Sequence, residues 1–161
     1  MTQDSMRQRS ARGLQVGDSF TVNRSFSRDE VERFAELSRD YHPIHFEPRY
    51  AAARRLEDTI CHGLLSASLV TEIGGQVGWL ASGMNFRFLR PVYVGDTLTC
   101  QLTLTAVDER LRAKASTRIV NQHGIAVIEG DLEGVLPGEP ERAVLRAMLE
   151  EGDPTNPLAG H

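Results

Sequence analysis

Asp40 and His45 stand five positions apart, with Pro43 between them, in the run Ser38-Arg39-Asp40-Tyr41-His42-Pro43-Ile44-His45. A carboxylate and an imidazole are side chains suited to moving protons near neutral pH. Proline is costly inside a helix, so Pro43 predicts that regular structure ends there and that the chain turns both groups toward one cavity. A second run, Cys61-His62-Gly63-Leu64-Leu65-Ser66-Ala67, opens an apolar, small-residue helix with a glycine. Backbone N–H groups at a helix start point outward with partial positive charge, and glycine lets a ligand approach closely, so Gly63 is the candidate oxyanion donor. The pattern is that of an acid/base pair facing an oxyanion site.

The elements that must position these groups can be read around them. Ser27 and Glu30 form a capping-box pattern, and Val31, Phe34, Ala35 and Leu37 follow at helical spacing, so a short amphipathic helix delivers Asp40. A second short helix or turn is expected over Tyr50 to Leu56. From His62 to Ile73 nearly every residue is apolar or small, which predicts a buried helix, with Gly74-Gly75 as its stop signal. One strand is expected before the helices, near Phe20 to Arg24. Four more follow them: Met84 to Leu89, Leu98 to Leu104, Ala113 to Ile119 and Ile125 to Leu132, separated by turn signals at Gly95-Asp96, Asp108-Glu109 and Gln122-His123-Gly124. This is an α+β pattern, an antiparallel sheet wrapped around one long helix. Residues 1–13 read as a flexible leader, 14–136 as one domain and 137–161 as a polar tail with one helical patch at Arg142 to Glu151.

Composition narrows the function. A chain of 161 residues is long enough to bury a core, and a net charge of −4 without a basic stripe argues against a nucleic-acid partner. No stretch approaches the ~20 continuous apolar residues of a membrane span, and the first residues lack the apolar middle of a secretory signal, so a cytoplasmic protein is expected. Cys61 and Cys100 lack paired spacing and sit among apolar residues, so no disulfide is expected.

Three ordered motifs carry a family resemblance: Phe34 to His45 with Ala51 following, His62-Gly63-Leu64-Leu65-Ser66-Ala67-Ser68, and Phe88-Leu89-Arg90-Pro91-Val92-Tyr93-Val94-Gly95-Asp96. From about Leu14 to Leu136 the chain resembles the MaoC-like dehydratases and R-specific enoyl-CoA hydratases of hot-dog fold. The resemblance implies a homodimer, or a dimer of dimers, that reversibly hydrates a 2-enoyl-CoA to an R-3-hydroxyacyl-CoA without a cofactor. It assigns the water-holding pair to Asp40 and His45, the oxyanion donor to Gly63, and a supporting hydroxyl to Thr71. Two positions depart from the family pattern, Arg39 where glycine is usual and His42 where asparagine is usual. His42 is expected to act chiefly as a structural hydrogen-bonder beside the substrate, with His62 near it. The Leu64-Leu65 turn, with Ile73, Trp79 and Leu80, would shape the acyl pocket. Arg90, or in second place Arg87 on the opposite strand face, would meet the phosphates of the coenzyme.

Such hydration needs a base for water, an acid for the alpha carbon and stabilisation of an enolate-like oxygen, which are the tasks of these groups. Three other readings compete. A metal site could draw on His42, His45, Cys61 and His62, but Pro43 and the adjacent Cys-His step present these ligands awkwardly, and no metal is expected. A thioesterase would use Asp40 or Glu72 as base. A dimeric acyl-CoA binder would keep the fold without turnover. Ser66 and Ser68 read as small packing residues rather than nucleophiles.

Overall fold

The structure, a computed structural model, describes residues 4–159. Helix α1 (Met6–Arg12) precedes strand β1 (Ser19–Ser25), and α2 (Arg28–Ser38) leads into a single 3-10 turn, Pro43–His45. Then come α3 (Pro48–Ala53), α4 (Gly63–Ala67), α5 (Leu69–Val77) and β2 (Leu80–Phe88). Strands β3 (Thr97–Val107), β4 (Arg112–Val120) and β5 (Ala126–Val135) and helix α6 (Glu139–Glu150) complete the chain. The five strands form one antiparallel sheet in the order β1-β3-β4-β5-β2. This is the α+β hot-dog architecture, a sheet curled around a helix.

Strict alternation makes one face of the sheet apolar. Leu98, Cys100, Leu102 and Leu104 of β3 are buried, as are Ala113, Ala115 and Ile119 of β4. Because strand side chains repeat every two residues, all of these point to the concave face, where Leu69, Val70, Ile73 and Val77 of α5 meet them. Burying a side chain such as Ile73 contributes about 1.5–3 kcal/mol.

The central helix departs from its sequence pattern in two ways. It is broken at Ser68, whose hydroxyl donates to the carbonyl of Leu65 at 2.5 Å and competes with the helical ladder. It also runs through Gly74-Gly75 and stops only at Gly78, where φ of +68° gives the left-handed cap that glycine adopts without cost. The packing of Ile73 and Val77 carries the helix past the expected stop. Nor is it buried all round, for Leu64, Thr71 and Gly75 are exposed along one side.

The ends of the chain also differ from expectation. Where a flexible leader is predicted, Ser5 caps α1 with a capping box, and Ser10 and Ala11 are buried. Arg7 donates to the carbonyls of Gly75 and Gln76, and the Ser10 hydroxyl to that of Val77, so α1 satisfies the orphan carbonyls at the end of α5. The helix expected in the tail forms as α6, but it packs on α1 instead of lying free, and Asp153 beyond it pairs with Arg7 at 2.9 Å. Sequence periodicity did not reveal these contacts because each is a single long-range bond rather than an apolar stripe. Residues 1–3 and 160–161 of those two stretches lie outside the described residues. Among the described residues, no helix is long and apolar enough to cross a membrane.

Candidate active site

Helix α2 starts at the reciprocal Ser27–Glu30 capping box and ends with Arg39 in the left-handed conformation, φ 60°. That reversal throws Asp40 off the helix axis. The carboxylate then fixes itself: the His42 N–H donates to Asp40 Oδ1 at 3.1 Å, leaving Oδ2 free. Pro43 starts the 3-10 turn, and the Ile44 N–H donates to His42 Nδ1 at 3.0 Å. His42 thus caps the turn through a ring nitrogen, as an asparagine would through its side-chain oxygen. Both departures from the family pattern are accounted for by backbone geometry, since Arg39 occupies a position where glycine is conformationally free.

His45, at the end of this turn, is 7 % exposed. Its Nδ1–H donates to the carbonyl of Ile60 at 2.8 Å, so Nε2 carries the lone pair and faces Asp40 Oδ2 at 3.8 Å. Burial lowers the imidazole pKa below its ordinary value, only partly opposed by the Ile60 hydrogen bond, and the ring is neutral at pH 7. The 3.8 Å separation is too long for a direct hydrogen bond and admits one water donating a hydrogen to each group.

His62 packs against this pair and is almost wholly buried at the cavity wall. It is 1 % exposed, its ring stacks on His45 with centroids 3.9 Å apart, and Nε2–H donates to the backbone carbonyl of Asp40 at 2.9 Å. Gly63 follows as the first residue of α4. A Cβ there would meet the Phe88 ring at 2.8 Å, so only glycine leaves room beside that N–H. A cavity of about 760 Å³ opens in front of these groups. Asp40, His42, His45, His62, Gly63, Leu64 and Arg90 all line it, and Phe34, Ile60 and Phe88 add apolar wall.

Not every expected residue arrives. Thr71 does not line the cavity; it is exposed, and its hydroxyl donates back to the Ser68 carbonyl at 2.6 Å. Glu72 is likewise absent from the lining, as are Ile73, Trp79 and Leu80. Arg87 pairs with Glu129 at 3.4 Å, beside a separate cleft lined by Arg118 and Asp131, whereas Arg90 reaches the cavity mouth. Ser66 is the hydroxyl that the sequence reading undervalued. It is 1 % exposed, lines the cavity, and its Oγ has no partner among the described residues. Its position three residues after Gly63 placed it on the same helix face, which was the available signal.

A metal fits poorly. Donor atoms of Asp40, His45 and His62 lie within 4.8 Å of one another. The two imidazole planes, however, are stacked 29° apart, so their in-plane lone pairs run side by side instead of converging. Cys61 is not among these clustered donors, and burial raises its thiol to about 11. What the arrangement offers is general acid/base chemistry on one water, beside a backbone donor for developing negative charge.

Over most of its length the chain is similar to known proteins. Residues 11–124 match the family described as MaoC like domain. The chain is similar to the (R)-specific enoyl-CoA hydratase of Aeromonas caviae, 36% identical over 133 residues that span 80% of this chain and 99% of the relative. It is also similar to the mitochondrial 3-hydroxyacyl-[acyl-carrier-protein] dehydratase of Arabidopsis thaliana, 31% identical over 77% of this chain and 78% of that one. Among solved structures, the (R)-hydratase of A. caviae superposes with a TM-score of 0.73, covering 78% of this chain and 98% of its own. The unliganded R-hydratase of Pseudomonas aeruginosa gives the same TM-score of 0.73 at 32% identity, covering 80% and 86% of the two chains.

Proposed function

Because the chain belongs to the MaoC-like domain family, we propose that it is a hydro-lyase interconverting a 2-enoyl-CoA and water with the R-3-hydroxyacyl-CoA. The observation that carries the assignment of residues is the 3.8 Å separation of His45 Nε2 and Asp40 Oδ2, which lets one water seated in front of the pair bond to both. In the hydration direction, Asp40 orients this water and neutral His45 accepts its proton. The oxygen bonds to the beta carbon, and the double-bond electrons move onto the thioester oxygen. The Gly63 N–H stabilises that oxygen as it gains charge, and it fits because nothing larger than hydrogen projects from its Cα. The imidazolium, stabilised by Asp40, then returns the proton to the alpha carbon. Both parts of one water are added from one side, which makes the addition syn.

Arg90 at the cavity mouth, without an ion pair among the described residues, is suited to the phosphates of the coenzyme. The catalytic unit is assigned to residues 14–136, and two free, buried thiols are in keeping with a cytoplasmic setting. A homodimer is supported by β2, an edge strand with none of its nine residues buried, and by the exposed small residues along α5.

The test is spectrophotometric. Crotonyl-CoA should lose its enoyl absorbance without release of free thiol. Asp40→Asn and His45→Gln should each reduce this by about 100-fold to 10,000-fold while the protein stays folded. The double variant should lose little more than the worse single one, because both residues act on one water. Free thiol would indicate thioester hydrolysis, and near wild-type turnover in either variant would sink the pair.

A further inference from the structure

Arg28 opens α2, yet its guanidinium turns toward the active-site turn rather than toward a carboxylate. Nη1 donates to the backbone carbonyl of His45 at 2.8 Å, and Nη2 donates to Oγ1 of Thr59 at 2.7 Å. Among the described residues Arg28 forms no ion pair, which sets it apart from the helix's other arginine, Arg33, paired with Asp29. Thr59 is 3 % exposed, so its hydroxyl has little access to water as an alternative partner.

These two bonds complete a small frame. The Pro43–His45 turn is tied to the Thr59–Ile60 segment by Ile60 N–H donating to the Ile44 carbonyl at 3.2 Å and by His45 Nδ1–H donating to the Ile60 carbonyl at 2.8 Å. Arg28 adds the third tie, and it is the one that grips the main chain of His45 itself. Hydrogen bonds from a charged donor are about twice as strong as neutral ones, and the guanidinium fork is rigid, so it fixes two acceptors in one plane. Arg28 does not line the cavity and touches no site where a substrate would sit.

We propose that Arg28 is a positioning residue: by holding the His45 carbonyl against Thr59, it sets where His45 Nε2 stands relative to Asp40 Oδ2. The kinetic part of this inference rests on the hydratase reading, whereas its structural part does not. Loss of the guanidinium removes the main-chain tie and leaves the Thr59 hydroxyl buried without its donor. The turn is then free to rock, and the water gap widens or closes. Misplacement by about 1 Å costs catalysis on the order of 100-fold, without altering contacts made to the ground-state substrate.

Arg28→Ala, Arg28→Lys and Thr59→Val test the inference, with Arg33→Ala as the control on the same helix. Arg28→Ala should lower kcat for crotonyl-CoA about 10- to 100-fold with KM changed less than about two-fold. Arg28→Lys, which offers a point charge without the fork, should fall between it and wild type. Thr59→Val should show a smaller loss in the same direction, and Arg33→Ala none. Millimolar guanidinium should restore part of the turnover of Arg28→Ala and leave wild type unaffected. Nitrogen-15 NMR of the His45 ring provides a readout independent of activity: Nδ1-protonated in wild type, and a mixture of tautomers in Arg28→Ala. Unchanged kcat, a loss confined to KM, or His45 resonances identical to wild type would each overturn the proposal. If wild type hydrates no enoyl thioester, the hydratase reading fails and the NMR comparison alone decides Arg28. If Arg28→Ala does not fold, Arg28→Lys and Thr59→Val carry the same measurements.

Discussion

At the scale of single residues, two features lead to direct expectations. His45 is held neutral by burial, so its folded-state pKa lies below the roughly 6.5 of an unperturbed histidine. A base must be unprotonated to accept from water, so the acid limb of kcat/KM should fall below pH 6.5; a limb above that value would contradict the burial. The same shift has a stability consequence. Between pH 6.5 and the lower folded-state value the unfolded chain binds the extra proton and the folded chain does not, so stability is lost as pH is lowered through that window and recovered as pH rises. Arg39 gives the second expectation. Its φ of 60° suits glycine, and a side chain there costs about 1 kcal/mol, so Arg39→Gly should raise stability by up to that amount, less the extra backbone entropy of glycine. Urea denaturation measures it, and a loss of more than about 1 kcal/mol would show that the Arg39 side chain contributes contacts of its own.

At the scale of elements, α5 is the helix whose placement governs the sheet, and its C-terminal end depends on α1. Arg7 grips the carbonyls of Gly75 and Gln76 while its Nη1 meets both oxygens of Asp153 at 2.9 and 3.0 Å. The Asp153 side chain is 4% exposed, so removing its partner strands a charge out of water. Arg7→Ala should therefore cost about 3–5 kcal/mol. Arg33→Ala, which breaks an exposed pair on α2, should cost at most about 0.5 kcal/mol. Equal midpoints for the two variants in urea would remove α1 from any role in stability. The active site lies at the other end of this helical unit, beside Gly63, so the loss should appear in folding more than in turnover of the folded fraction.

For the whole molecule, the open edge of β2 is the dominant feature. A nine-residue strand paired on one side only, with none of its residues fully buried, is a surface that ordinarily recruits another strand. Pairing of two such edges would continue the sheet across a two-fold axis and cover the small-residue side of α5. Light scattering should give about twice the 17.9 kDa chain mass at micromolar concentration, and activity should fall on dilution as dimers part. An active monomer under those conditions would overturn the assembly.

The sequence by itself determined the strands, the turns between them, and the positions of Asp40, His45 and Gly63. These follow from local rules: a two-residue alternation, a capping box, a proline that cannot continue a helix, and a glycine at a helix start. Each signal lies within a dozen residues. What only the tertiary structure decided involves contacts between distant segments. That Ser66 rather than Thr71 meets the cavity depends on where the helix bends at Ser68, and that bend comes from one hydroxyl bond. That Gly78 rather than Gly74 ends α5 depends on packing, which outweighs the cost of glycine in a helix. That α1 is ordered depends on Arg7 meeting Asp153 across almost the full chain. That Arg28 holds His45 depends on a helix start, a turn and an extended segment arriving at one point. A polar contact made once, between residues far apart in sequence, leaves no period in the chain that precedes it. It becomes visible only when the core has brought the segments together.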